Sequence, residues 1–265
     1  MHISFLLREY IRWLYRSKTR HGVHSPFVYR FVDECLYKKT DKKSLTDIFE
    51  HRKTLLNNPS ILQYSDPGAG SKSNKRNIDK SRIVSVKSLA RYSLQKIRFI
   101  LLFYRMIQFF NYKNVLELGT SLGITSACMS RANPGIRIDT IEGAKPLADI
   151  ARNFFQTAGM TNILLHEGNF DKILTSVIHS KVYDMIIIDG NHKGEKLLHY
   201  FHILTEHISP GGVIIVDDIR WSASMLKAWH EIQKHQKTRV TIDLFKLGLV
   251  FFDDRLSREN FLIRF

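Results

Sequence analysis

From Asn114 onward the chain alternates between two kinds of pattern. Five short apolar runs, NVLEL (114–118), RIDTIE (137–142), NILLHEG (162–168), YDMIIID (183–189) and GVIIVDD (212–218), are rich in Ile, Val and Leu. Runs of this length and composition predict parallel strands buried on both faces. Amphipathic helix patterns lie between them. In KPLADIARNFFQTAG, Leu147, Ile150, Ala151, Phe154, Phe155 and Ala158 recur at helical spacing, Pro146 suits the first turn and Gly159 the stop. Such alternation predicts a doubly wound α/β sheet. VTIDL (240–244) and LVFFD (249–253), joined across Gly248, predict a closing hairpin.

Residues 1–113 lack this alternation. Helix patterns are expected over 1–16, 26–37, 44–56 and 82–110, with a polar loop at SDPGAGSKSNKRN (65–77). The expected organisation is a basic, mainly helical N-terminal extension over 1–111 and an α/β domain over 112–265. At 265 residues and 44% hydrophobic content the chain can bury a full core. Of the formal net charge of +15, residues 1–100 carry +13, from 21 Lys/Arg against 8 Asp/Glu. That basic front is suited to phosphate, anionic lipid or an acidic substrate, or is a plain solvated surface. FILLFYRMIQFF (99–110) is too short to span a bilayer and holds Arg105, so a buried helix is expected and no transmembrane segment. The charged N-terminus does not read as a signal peptide, and Cys35 and Cys128 have no paired spacing. The cysteine usage fits a reducing cytoplasm.

The strand at 114–118 runs into GTSLG. A glycine turn there lets a ligand approach the backbone, and the next helix aims its free N–H groups at it. The spacing of Gly119 and Gly123 is GxxxG, not the GxGxxG of a dinucleotide cradle. The second strand ends in Glu142, where an acid can accept both hydroxyls of a ribose.

VLELGTSLGITS, IEGAK, HEGNFDKIL, YDMIIIDGNH and PGGVIIVDDI, in this order, resemble the successive motifs of class I S-adenosylmethionine-dependent methyltransferases. They are especially similar to the metal-dependent small-molecule O-methyltransferases. The resemblance covers about residues 112–253. It implies a Rossmann-like sheet of seven strands whose C-terminal hairpin is antiparallel. HGVHSPF and DPGAGS in the front segment look like those of an uncharacterised bacterial group of such enzymes. Carried over by position, Glu117, Gly119 and Ser121 line the methionine side of the cofactor, with Thr125 near its carboxylate, and Gly123 is a further cofactor-binding residue. Glu142 holds the ribose, Gly168, Asn169 and Phe170 border the adenine, and Asp189 closes the pocket.

Asp189, Asp217 and Asp218 end neighbouring strands in such a sheet, and three crowded carboxylates repel unless protonated or metal-bound. A divalent cation with oxygen ligands, Mg²⁺, is therefore expected on these three acids; the alternative is that Asp217 or Asp218 caps a helix starting near Ser222. Catechol-type relatives carry Asp, Asp, Asn here, so Asp218 departs from their pattern and fits sugar-directed members better. His192, three residues after Asp189, stands where relatives place a base, and a histidine can take the acceptor's proton. Trp221 is a candidate acceptor wall. His21 and His24 in HGVHSPF are three apart, with no third ligand evident, and fit a substrate lid. DPGAGS (66–71) could cradle an anion but lacks the ending of a P-loop.

The function expected is O-methylation of a small hydroxylated acceptor, a phenol or a sugar. RNA methylation through the basic front is the second enzyme reading. A non-catalytic cofactor-binding protein is the third. Steep salt dependence of RNA binding would favour the second. A homodimer is compatible with all three.

Overall fold

A computed structural model describes residues 2–64 and 82–265 of the chain. The expected 65–77 loop, with DPGAGS, falls outside them. The chain forms two compact units: residues through Lys38 with Lys181–Phe265, and Lys39–Ser180. This partition differs from a split at 111/112, because the front segment is divided between both units.

The Lys39–Ser180 unit holds α3 (Thr46–Asn57), β1 (Ile61–Tyr64), β2 (Arg82–Ser85), α4 (Val86–Ser93) and α5 (Ile97–Phe110). They are followed by β3 (Asn114–Leu118), α6 (Ile124–Ser130), β4 (Arg137–Glu142), α7 (Lys145–Thr157), β5 (Ile163–Glu167) and α8 (Phe170–Ile178). β3, β4 and β5 are parallel and adjacent in that order. β1 and β2 form a separate antiparallel ribbon in the segment expected to be helical and loop. The expected helix over 82–110 is therefore three pieces. Arg82–Ser85 pairs as strand, Ser85 caps α4 by accepting from the Ser88 N–H (3.2 Å), and the chain breaks again before α5. α5 is the expected buried helix: Phe99, Ile100, Leu102, Phe103, Met106 and Ile107 are all inaccessible, and Asn111 in the left-handed region (φ 57°) ends it. Its Arg105 donates to Thr40 Oγ1 at 2.9 Å.

The other unit holds α1 (His2–Arg16), α2 (Pro26–Phe31), β6 (Tyr183–Ile188), α9 (Gly194–Leu204) and β7 (Ile208–Val216). α10 (Ala223–Lys234), β8 (Val240–Asp243), β9 (Gly248–Phe251) and β10 (Glu259–Leu262) complete it. Its strand order is β10-β8-β9-β7-β6. β6 and β7 are parallel; β9 runs antiparallel to both β7 and β8, giving the expected hairpin. β10 adds a parallel edge strand beside β8, so the sheet strands number eight and not seven. α1 belongs here because its aromatic face is taken up. Trp13 and Tyr10 pack on Phe245 with ring centroids 5.5 and 5.2 Å apart, and Trp13 Nε1 donates to the Asp243 carbonyl at 3.2 Å. Among the described residues no helix is long and apolar enough to cross a membrane.

Candidate functional site

The chemistry-bearing residues form two groups, one in each unit. In the Lys39–Ser180 unit they cluster where β3, β4 and β5 end. The turn after β3 is built from left-handed residues: Gly119 (φ 107°), Ser121 (φ 49°) and Gly123 (φ 80°). A side chain at Gly123 would meet the Phe155 ring at 2.9 Å and Ala151 Cβ at 3.0 Å, so both the turn and the approach of α7 require glycine there. Ser121 is a non-glycine residue held in this region, and one contact explains how. Its N–H donates to Glu142 Oε2 at 2.8 Å, while the Ala144 N–H donates to Glu142 Oε1 at 2.9 Å. The Glu142 carboxylate thus clasps the turn after β3 to the turn after β4.

Glu117 lies one pleat back on β3, opposite Thr140 of β4. It is 2% exposed and accepts from Thr140 Oγ1 (2.8 Å) and from Ser126 Oγ of α6. Burial raises its pKa to about 7; the two hydroxyl bonds oppose this and the nearby Glu142 adds to it. Thr125, on the first turn of α6, is half-buried. After β5, Gly168 (φ 152°) donates its N–H to the Glu142 carbonyl at 2.9 Å. Asn169 caps α8 by accepting from the Asp171 N–H at 2.8 Å, and Phe170 opens that helix half-buried. All nine candidate cofactor residues of this unit therefore sit on or just past three strand ends. A hollow of about 260 Å³ bounded by Ser130, Asn133, Pro134 and Asn162 lies at the opposite ends of β4 and β5 and contains none of them.

In the other unit, Asp189 follows β6, and Asp217 and Asp218 follow β7. The Asp217 N–H donates to the Ile188 carbonyl (3.0 Å), which sets the two strand ends side by side. Asp218 is left-handed (φ 51°), and its N–H donates to Asp217 Oδ1 at 2.8 Å. Burial first, and Asp217 second, hold Asp189 well above the usual carboxylate range; the same two causes raise Asp218. His192 Nε2 stands 4.0 Å from Asp218 Oδ2, and its ring lies 4.9 Å from Trp221 at 33°.

Lys246 is the residue that sequence reasoning missed. It sits in the β8–β9 turn, 29 positions after Asp217. Its Nζ donates to both oxygens of Asp217 at 2.5 Å and lies 3.4 Å from Asp218 Oδ1. Burial would depress its pKa, but Asp217, Asp218 and Asp189 outweigh that and raise it. Local sequence gives no signal for this, because DLFKLG reads only as a turn with a lysine in it. The turn is tightly held. Arg220, two residues past Asp218, grips Asp243 in a bidentate pair (2.8 and 2.6 Å) and donates to the Phe245 carbonyl at 2.9 Å. The Ile219 N–H donates to the Lys246 carbonyl at 3.1 Å.

The capping alternative for the acids does not hold: Ser222 Oγ accepts from the Met225 N–H (3.2 Å) and caps α10 by itself. Among the described residues, no group of three or more His, Cys, Asp or Glu side chains is arranged to hold a metal ion. The three aspartates supply oxygen donors of the right kind for Mg²⁺, but an ammonium lies among them, and as arranged they do not fit a bound cation. His24 is exposed, the His21 side chain lies outside what is described, and Ser25 precedes α2 without a side-chain cap.

Residues 116–219 match a family model described as a methyltransferase domain. A catechol O-methyltransferase from Niastella koreensis is 31% identical over 111 residues, 40% of this chain. The chain spans about half, 49%, of the length of that curated relative. An O-methyltransferase from Bacillus cereus, solved in complex with SAH, is similar in fold with a TM-score of 0.55 at 18% identity. The match covers 85% of this chain and 97% of that one. An SAH-bound methyltransferase from Podospora anserina gives 0.60 at 13% identity, covering 88% and 98%. The fold is thus the Rossmann-like α/β fold of these enzymes.

Proposed function

We propose that the chain is an S-adenosylmethionine-dependent O-methyltransferase acting on a hydroxyl of a small acceptor, a phenol or a sugar. The observation that carries this reading is the Glu142 clasp: a buried carboxylate fixing a left-handed glycine turn at adjacent strand ends, inside a methyltransferase domain. Such a carboxylate, at the end of the second strand of the motif series, suits the paired hydroxyls of a ribose. The turn at Gly119–Gly123, with Glu117, Ser121 and Thr125, is assigned to the methionine end of the cofactor. Gly168, Asn169 and Phe170 are assigned to its adenine.

Methyl transfer is a displacement. The acceptor oxygen forms a bond to the methyl carbon, the carbon–sulfur bond breaks, and the sulfonium becomes a neutral thioether. The acceptor proton is assigned to His192 Nε2, and Asp218 at 4.0 Å would stabilise the resulting imidazolium. Asp189 and Trp221 are assigned to the acceptor side with it. No step is assigned to the Mg²⁺ expected from the sequence, since two of its three expected ligands, Asp217 and Asp218, hold Lys246. A cytoplasmic setting belongs to the same proposal; Cys35 and Cys128 are buried thiols outside any disulfide.

The test is transfer of labelled methyl from S-adenosylmethionine to a panel of catechols, simple phenols and sugars, with bulk RNA as a further substrate. Label in a small hydroxylated compound is expected. Label in RNA alone would overturn the acceptor class. Absence of any cofactor binding by calorimetry would overturn the whole reading.

A further inference from the structure

We propose that Lys246 takes the place of a divalent cation, so that its ammonium, fixed by the β8–β9 turn, neutralises Asp217 and Asp218 and makes the site independent of metal. The reasons are geometric and electrostatic. Like charges crowded together away from bulk water repel, so the Asp217 and Asp218 carboxylates at these neighbouring strand ends require compensation. The structure supplies it from inside the chain: Nζ bridges both oxygens of Asp217 at 2.5 Å and reaches Asp218 at 3.4 Å. A cation drawing on the same oxygens would have to expel this ammonium.

The lysine is not a chance surface contact. Arg220 pins the turn through Asp243 and the Phe245 carbonyl, and the Arg220 guanidinium lies 5.0 Å from the Phe245 ring centroid. Phe245, immediately before Lys246, is held at φ 69°, a conformation that is strained for a bulky residue and persists only where surroundings impose it. Trp13 and Tyr10 of α1 pack on that same ring. The front helix thus has a physical role: it braces the turn that presents the ammonium. The Lys246 carbonyl, bonded by the Ile219 N–H, ties the turn back to the acid loop.

The assignment concerns the site described above and rests on the methyltransferase reading only for its catalytic meaning. The measurement is therefore one of cation binding. The full chain is titrated with Mn²⁺ and the free-ion paramagnetic resonance signal is followed. The wild type is expected to show no saturable site below about 1 mM. Lys246→Met is expected to gain one site, tighter by about tenfold or more, which Asp217→Asn then abolishes. Lys246→Arg, which keeps the positive charge, should stay without a site. A saturable one-equivalent site in the wild type, lost in Asp217→Asn, would overturn the proposal without reference to activity. So would a folded Lys246→Met protein, judged by circular dichroism, that gains no site. Should Lys246→Met not fold, Lys246→Gln carries the same expectation, and the wild-type titration decides by itself. Cofactor affinity, measured separately by calorimetry, tests the methyltransferase reading and is independent of either result.

Discussion

The two units bury acids in opposite ways. In the Lys39–Ser180 unit, Glu117 and Glu142 are satisfied by neutral donors: the hydroxyls of Ser126 and Thr140 for one, the N–H groups of Ser121 and Ala144 for the other. In the other unit, three aspartates crowd together and are answered by a full positive charge, and Asp243 is answered by Arg220. Neutral donors leave a carboxylate free to change protonation and to accept a ligand. Ion pairs fix it, and removing one partner strands a buried charge.

The largest effect is expected where an ion pair is broken. Arg220→Ala should cost about 3–5 kcal/mol, because it leaves Asp243 buried without its partner and frees the β8–β9 turn. Urea unfolding measures this; a loss below about 1 kcal/mol would make the contrast between the units empty. Next, His192→Ala should lower kcat by about 10²–10³ once the acceptor is in hand. Its affinity for S-adenosylhomocysteine should hardly change, since every candidate contact to the ribose and adenine belongs to the other unit. Parallel loss of cofactor binding would put the base elsewhere, with Lys193 the next candidate.

Glu117 tests the neutral side of the comparison through pH. Its folded pKa of about 7 lies above the ordinary 4.5, so its contribution to stability is full below pH 4.5 and is lost as pH rises toward 7. The stability of the cofactor-free wild type relative to Glu117→Gln should fall across that window by about 2–3 kcal/mol. A difference constant with pH would mean that Ser126 and Thr140 hold the ionised form. The smallest effect is expected at Glu142. Glu142→Ala should weaken cofactor binding by about 1.5–3 kcal/mol, the scale of a hydrogen bond to a charged group. Calorimetry showing unchanged affinity would remove it from the ribose.

This contrast also explains what could be read in advance. β3 and β4 have the bounds expected from NVLEL and RIDTIE, and Gly119, Ser121 and Gly123 form a left-handed turn directly after β3. Period and turn chemistry are local, so a linear reading recovers them. The front segment was less legible. Residues 82–85 carry a helix-compatible pattern but pair with β1, a partner about twenty positions upstream, and pairing overrides propensity.

The sequence by itself determined the alternating α/β architecture, the antiparallel hairpin and the identity of the acids at the strand ends. Each follows from hydrophobic period, glycine placement or the order of motifs. Only the tertiary structure decided what those acids face. It placed Lys246 on Asp217 from 29 residues away, gave the capping of α10 to Ser222, and set α1 against Phe245 from the far end of the chain. The physical reason is that a hydrogen-bonded turn needs only neighbours, whereas charge compensation acts through space and accepts any counter-charge the fold delivers.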